Sequence, residues 1–213
     1  MRGLGLGALS HANWHAVTLS FENRYWPELS VLQAAHAAEI LIKARIAEEH
    51  PLLIFDDLPK RKTVEHRELE HADLYLNGKT FQFSELPDRL WATTGISISN
   101  IVAYKEFGRL RNSIQHFSAP KGVDCSLEAI KFVFEVVDPF IKECWNLYAL
   151  DYTEDYDTYQ YFAEYLVERS IEFSISPNFV KYGKDVKFEW DIKKPEYRIE
   201  MERRIAEAAM TFS

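Results

Sequence analysis

Hydrophobic and polar positions along the chain alternate mostly with a helical period. Ala103, Phe107, Leu110, Ile114 and Phe117 recur at spacings of four and three, which is one apolar stripe and predicts a helix over residues 96–117. Ser118-Ala119-Pro120-Lys121-Gly122 stops it, because proline cannot continue a helix and glycine often follows one. A second long helix is predicted over residues 26–49, opened by Trp26-Pro27-Glu28 and closed by His50-Pro51. Its alanines allow close approach of neighbours, so it reads as the buried spine of a bundle, packed antiparallel to the first. Residues 11–23 predict a packing helix with Trp14, Val17 and Phe21 on one side. After residue 124, Ser126 reads as a cap, and Ile130, Val133, Phe134, Val137, Phe140 and Ile141 form an apolar face that Asp138-Pro139 should interrupt.

Between the two central helices, residues 56–95 read as an elaborated insertion. It holds a charged helix over residues 64–76 ended by Asn77-Gly78, an extended piece at Phe81-Gln82-Phe83-Ser84, and a short helix carrying Leu90 and Trp91. This insertion is either a lid that contacts substrate or a packing element. A tyrosine-rich helix is expected over residues 153–168. From residue 171 the pattern changes: residues 171–176 and 186–191 alternate like a small antiparallel pair, and residues 197–210 like a final charged helix. The fold class expected is mainly all-α, a helical domain over residues 1–170 with a C-terminal appendage of short strands and a helix over residues 171–213.

Composition changes this picture little. Hydrophobic residues make up 47% and charged residues 27% of 213 residues, as in ordinary globular chains. Charge breaks the longest apolar runs, so no segment is expected to span a bilayer, and the amino terminus is too short for a signal peptide. Cys125 and Cys144, without a Cys-x-x-Cys unit, suit a reducing compartment, and the expected location is cytoplasmic. The net charge of -8 argues against bulk coating of nucleic acid. Yet Lys105, Arg109, Arg111 and Lys121 stand together against one acid, Glu106, and Lys60-Arg61-Lys62 makes a second basic spot. Such a local positive site suits a small phosphate target. The tyrosines from Tyr148 to Tyr165 read as packing or interface surface instead, because seven acids occupy residues 151–180.

The candidate chemistry lies in Arg111-Asn112-Ser113-Ile114-Gln115-His116. At about 100° per residue, Arg111 falls roughly 80° to one side of the apolar stripe and His116 roughly 140° to the other. An arginine and a histidine in a last helical turn also suit the negative end of the helix dipole, which is the plainer account of both. On the early helix, His36, Glu39 and Lys43 share one face. Two readings stay open there: an intrahelical Glu39–Lys43 ion pair with a satisfied histidine, or a polar face that looks into the Arg111/His116 site. His11 and His15 are one turn apart, but no third ligand follows at a supporting interval, so a metal site is not expected.

Arg-Asn-x-x-x-His after Tyr104-Lys105-Glu106-Phe107-Gly108-Arg109-Leu110, on a late helix of a helical chain, resembles the signature of HEPN ribonucleases over roughly residues 26–150. The resemblance implies a HEPN-like bundle and a metal-independent endoribonuclease without cofactor, cutting single-stranded RNA to a 2′,3′-cyclic phosphate. Arg111 and His116 would be catalytic, supplied by both subunits of a homodimer, with Asn112, Lys105, Arg109, Glu39 and Lys43 as substrate-binding or supporting residues. It also implies a toxin–antitoxin or phage-defence setting, with an antitoxin or neighbouring-gene regulator as a further partner. In one subgroup a tyrosine two residues past the histidine is modified; here that position is Ser118, and that regulation is not expected. Relatives that have lost catalysis act as binding or assembly modules, and that is the alternative reading.

Overall fold

Small residues bring the first two helices together. In the computed structural model, which describes residues 1–18, 20–60, 68, 70–154, 159–182, 188 and 194–212, helix α1 spans Arg2–Val17 and α2 spans Trp26–Glu49. The bounds of α2 are those expected from its proline signals. The first helix instead starts at Arg2, and Thr18, with φ -103° and ψ 135°, leaves it before residue 23. Glycine costs a helix about 1 kcal/mol relative to alanine, which argues locally against a helix through Gly3, Gly5 and Gly7. Packing overrides that cost. Gly5, Ala8, Leu9, Ala12 and Ala16 form the buried stripe of α1, and a Cβ at Gly5 would lie 2.7 Å from Leu41 Cγ of α2. Phe21, expected on the packing face, is fully exposed. Gly5→Ala should therefore destabilise the protein despite its helix propensity, because overpacking costs about 1–3 kcal/mol. Urea unfolding would show a lower midpoint, and an unchanged or higher midpoint would refute the close approach.

Helix α2 also packs against α4 (Leu86–Thr94), α5 (Ile101–His116) and α6 (Cys125–Phe132), so it is the spine. Between α2 and α4, a 3-10 turn at Pro51–Ile54 leads into β1 (Phe55–Asp57), which pairs antiparallel with β2 (Lys79–Thr80) on either side of α3 (His71–Asn77). Residues 64–67 and 69 of the helix expected at 64–76 lie outside the described residues, as do Arg61 and Lys62 of the second basic spot. The extended piece expected at residues 81–84 is shifted: the strand is Lys79–Thr80, and Phe83–Glu85 forms a 3-10 turn. The Glu85 carboxylate accepts the Gln82 N–H at 2.7 Å, a local bond that favours the turn over a strand. Gly95, left-handed at φ 76°, ends α4.

Helix α5 begins at Ile101 rather than residue 96 because Asn100 caps it, accepting the Ala103 N–H at 3.0 Å. Tyr104 and Phe107 are buried and Ala103, Leu110 and Ile114 half-buried, but Phe117, expected on the stripe, is 92% exposed just past the helix end. The next helix starts at Cys125 with Asp124, not Ser126, as its cap, accepting the Leu127 N–H at 3.0 Å. The interruption expected at Pro139 takes the form of a widened π turn at Val133–Val137 before α7 (Asp138–Trp145). Proline has no N–H to give the Glu135 carbonyl, four residues back, and Ser99 Oγ approaches that oxygen at 3.4 Å. All six residues of the expected apolar face are buried.

The chain continues through α8 (Tyr159–Glu168), α9 (Pro177–Tyr182) and α10 (Pro195–Thr211). Residues 155–158 of the expected tyrosine-rich helix, with Tyr156, lie outside the described residues, as do 186–187 and 189–191 of the second expected strand. Residues 171–176 do alternate, with Ile171, Phe173 and Ile175 buried, but among the described residues they join no sheet. Side chains take the place of a partner strand. Asp138 Oδ2 accepts the Ser174 N–H at 3.0 Å, and Tyr197 donates to the Ile171 carbonyl at 2.8 Å. Asp138 Oδ1 also accepts the Ala149 N–H at 2.8 Å, so one buried carboxylate ties α7 to two separate segments. Ile171, Phe173, Phe179 and Met201 belong to the same core cluster as the side chains of α1 and α2. The architecture is mainly helical, and among the described residues no helix is long and apolar enough to cross a membrane.

Candidate functional site

Spacing on α5 puts three cations beside one concavity. Lys105, Arg109, Arg111 and Asn112 line a pocket of about 320 Å³ together with Tyr104 and Gly108. Its opposite wall comes from the insertion: Gln82, Phe83 and Ser84. No carboxylate lines it among the described residues, and none pairs there with Lys105, Arg109 or Arg111. The Arg111 guanidinium donates instead to Asn112 Oδ1 at 3.0 Å. Asn112 thus serves Arg111 rather than the His116 ring.

The two walls are joined by an aromatic clamp. Phe83 stacks on Tyr104 with ring centroids 4.3 Å apart, and the Tyr104 hydroxyl donates to the Phe83 carbonyl at 2.7 Å. Gly108 makes room for the Phe83 ring, since a Cβ there would sit 3.1 Å from it. Burial raises the Tyr104 pKa well above its usual value; nearby Glu39 adds to the rise and Arg111 opposes it. Neither Tyr104 nor the 82–84 wall was among the residues picked from sequence. A glycine within an otherwise regular helix was the available sign that another segment approaches closely.

His116 closes α5 as its last residue, exposed and not part of the pocket lining. Ser113 fixes this helix end, its hydroxyl donating to the Ser118 carbonyl at 3.0 Å. Comparison with protein-family models, curated proteins and solved structures gives no match.

The polar face of α2 has a role of its own. Lys43 donates to Glu39 at 2.7 Å and to Thr80 Oγ1 at 3.1 Å, so it holds the β2 hairpin beside the pocket without lining it. His36 is exposed. His11 Nδ1 lies 2.9 Å from Glu154, a carboxylate far along the chain that helical spacing could not reveal. His15, whose ring lies 4.9 Å from that of Trp26, has its pKa lowered by burial and by His11, with Glu154 opposing. Among the described residues, no three His, Cys, Asp or Glu side chains converge in a way that could hold a metal. Burial pushes the thiols of Cys125 and Cys144 up to about 11 and about 12, so neither is a thiolate nucleophile at neutral pH.

Proposed function

We propose that the protein is an endoribonuclease that cuts single-stranded RNA without a divalent metal, as a HEPN-like homodimer with Arg111 and His116 from both subunits at the site. The observation that carries this reading is the unneutralised basic wall of α5. Lys105, Arg109 and Arg111 face one small pocket free of carboxylates among the described residues, and His116 stands exposed on the same helix. Five residues of helix separate Arg111 and His116 by about 7.5 Å along the axis and about 140° around it. That separation is awkward for one phosphate within one protomer, and a second copy of the helix end relieves it.

In this reaction the ribose 2′-hydroxyl attacks phosphorus, the P–O2′ bond forms and the P–O5′ bond breaks. One His116 takes the 2′-hydroxyl proton, and its counterpart in the second subunit gives a proton to the leaving 5′-oxygen. Arg111 stabilises charge on the non-bridging oxygens, with Lys105 and Arg109 as binding groups. Asn112 orients Arg111. Glu39 and Lys43 support the pocket from behind. A cytoplasmic toxin–antitoxin or phage-defence role, with an antitoxin or neighbouring-gene regulator, belongs to the same proposal.

Purified protein should convert a single-stranded RNA to fragments with 2′,3′-cyclic phosphate and 5′-hydroxyl ends, unaffected by EDTA. A DNA of the same sequence should stay intact, because it lacks the attacking 2′-hydroxyl. Inhibition by EDTA or cleavage of the DNA would overturn the reading. The position of His116 outside the pocket favours a second reading, a helical module that binds RNA or a partner without cutting; RNA retained but never cleaved would establish it.

A further inference from the structure

One stripe of α5 runs from the pocket to the helix end. Lys105, Arg109, Asn112 and His116 recur at spacings of four, three and four. At about 100° per residue they fall within about 60° of one another. Glu106, the acid of this helix, is turned about 100° away from Lys105. Along the axis, however, the stripe is long. Arg109 precedes His116 by about 10.5 Å, and Lys105 precedes it by about 16.5 Å. Helical side chains lean toward the helix N-terminus, which carries both cations further from His116. The pocket sits at that far end: Lys105, Gly108 and Arg109 line it, and His116 does not. Its facing segment, residues 82–84, brings no charge, and a volume of about 320 Å³ is at the small end of ligand sites. Cations left without a carboxylate among the described residues favour an anion there over a sugar or a base.

We propose that the pocket is a second phosphate subsite, in which Lys105 and Arg109 hold a phosphate of the RNA separate from the one that is cut. This rests on the ribonuclease reading and deepens it. No single phosphate reaches both His116 and the Lys105–Arg109 pair across that length of helix. A strand laid along the stripe instead places the cleaved linkage at the helix end and a neighbouring linkage in the pocket. Arg111 and Asn112 are the lining residues nearest His116, so Arg111 adjoins both phosphates. The substrate class is then an oligoribonucleotide with backbone charge beyond the cleaved linkage, rather than a dinucleotide. Such a contact positions the strand and carries no sequence information.

The test maps charge along the RNA. Wild-type protein first identifies the cleaved linkage. Binding by the full-length His116→Ala protein is then measured for RNAs in which one linkage at a time is an uncharged methylphosphonate. Neutralising a linkage one or two nucleotides from the cleaved one is expected to weaken binding roughly tenfold, the scale of a lost charge-assisted hydrogen bond. Adding Lys105→Ala and Arg109→Ala should erase that particular loss, while neutralising the cleaved linkage still weakens binding. Both side chains are exposed, and unchanged helical circular dichroism would show that the variant is folded. An equal loss with and without the two cations, or no loss at any neighbouring linkage, overturns the subsite and leaves the ribonuclease reading intact. A wild-type protein that cuts no RNA overturns both.

Discussion

His116→Ala is expected to slow RNA cleavage by about 10²-fold or more, the scale of a lost general acid or base. Arg111→Ala should do similar damage through lost charge stabilisation on the phosphate. Neither should unfold the protein: His116 is exposed, and Arg111 donates to its helical neighbour Asn112. The composite nature of the site has a separate signature. When wild-type and His116→Ala subunits are mixed equally and allowed to exchange at constant total protein, only doubly wild-type dimers keep both histidines. Activity should then fall to about a quarter rather than to about half, the value for independent sites in a twofold assembly. Retention of half the activity would remove the shared site, and full cleavage by His116→Ala alone would remove the histidine from the mechanism.

Asp138→Ala is expected to cost about 2–4 kcal/mol of stability, because it strands a buried backbone donor, Ala149 N–H, and a half-buried one, Ser174 N–H. Asp138 is 2% exposed, and burial raises its pKa in spite of the two backbone bonds, the Ser174 side chain and Lys142. The sign follows from linkage: the folded form holds this proton more tightly than the unfolded chain does. The cost of the charge is relieved as pH falls through the raised value toward 3.8. Against an Asp138→Asn variant, the wild type should therefore gain relative stability on acidification. Urea unfolding across pH reads both effects, and an Ala variant as stable as wild type would show that neither bond matters.

The parts of the fold that were legible in sequence are those with local punctuation. Helix α2 was bounded correctly because Pro27 and Pro51 act on their own neighbours, and the end of α5 because Pro120 does. The start of α1 was not legible, since glycine looks unfavourable until Leu41 occupies the space where its side chain would be. Residues 171–176 showed the burial alternation of a strand, but side chains such as those of Asp138 and Tyr197 bond their backbone in place of a partner strand, which no period reveals. Lys105, Arg109 and Asn112 line one pocket with Arg111 because one helix carries them all, a proximity that helical spacing makes legible. The facing wall depends on how Phe83 seats against Gly108, a contact made twenty-five residues apart in sequence.

That seating separates what holds the wall from what the wall displays. The insertion is anchored by the ring and carbonyl of Phe83 and by Thr80, while the side chains of Gln82 and Ser84 are exposed and add little packing. Changes at these two positions can alter what the pocket admits without touching the helices that build it. A chain organised this way can acquire new preferences by single substitutions, each tried on an unaltered scaffold.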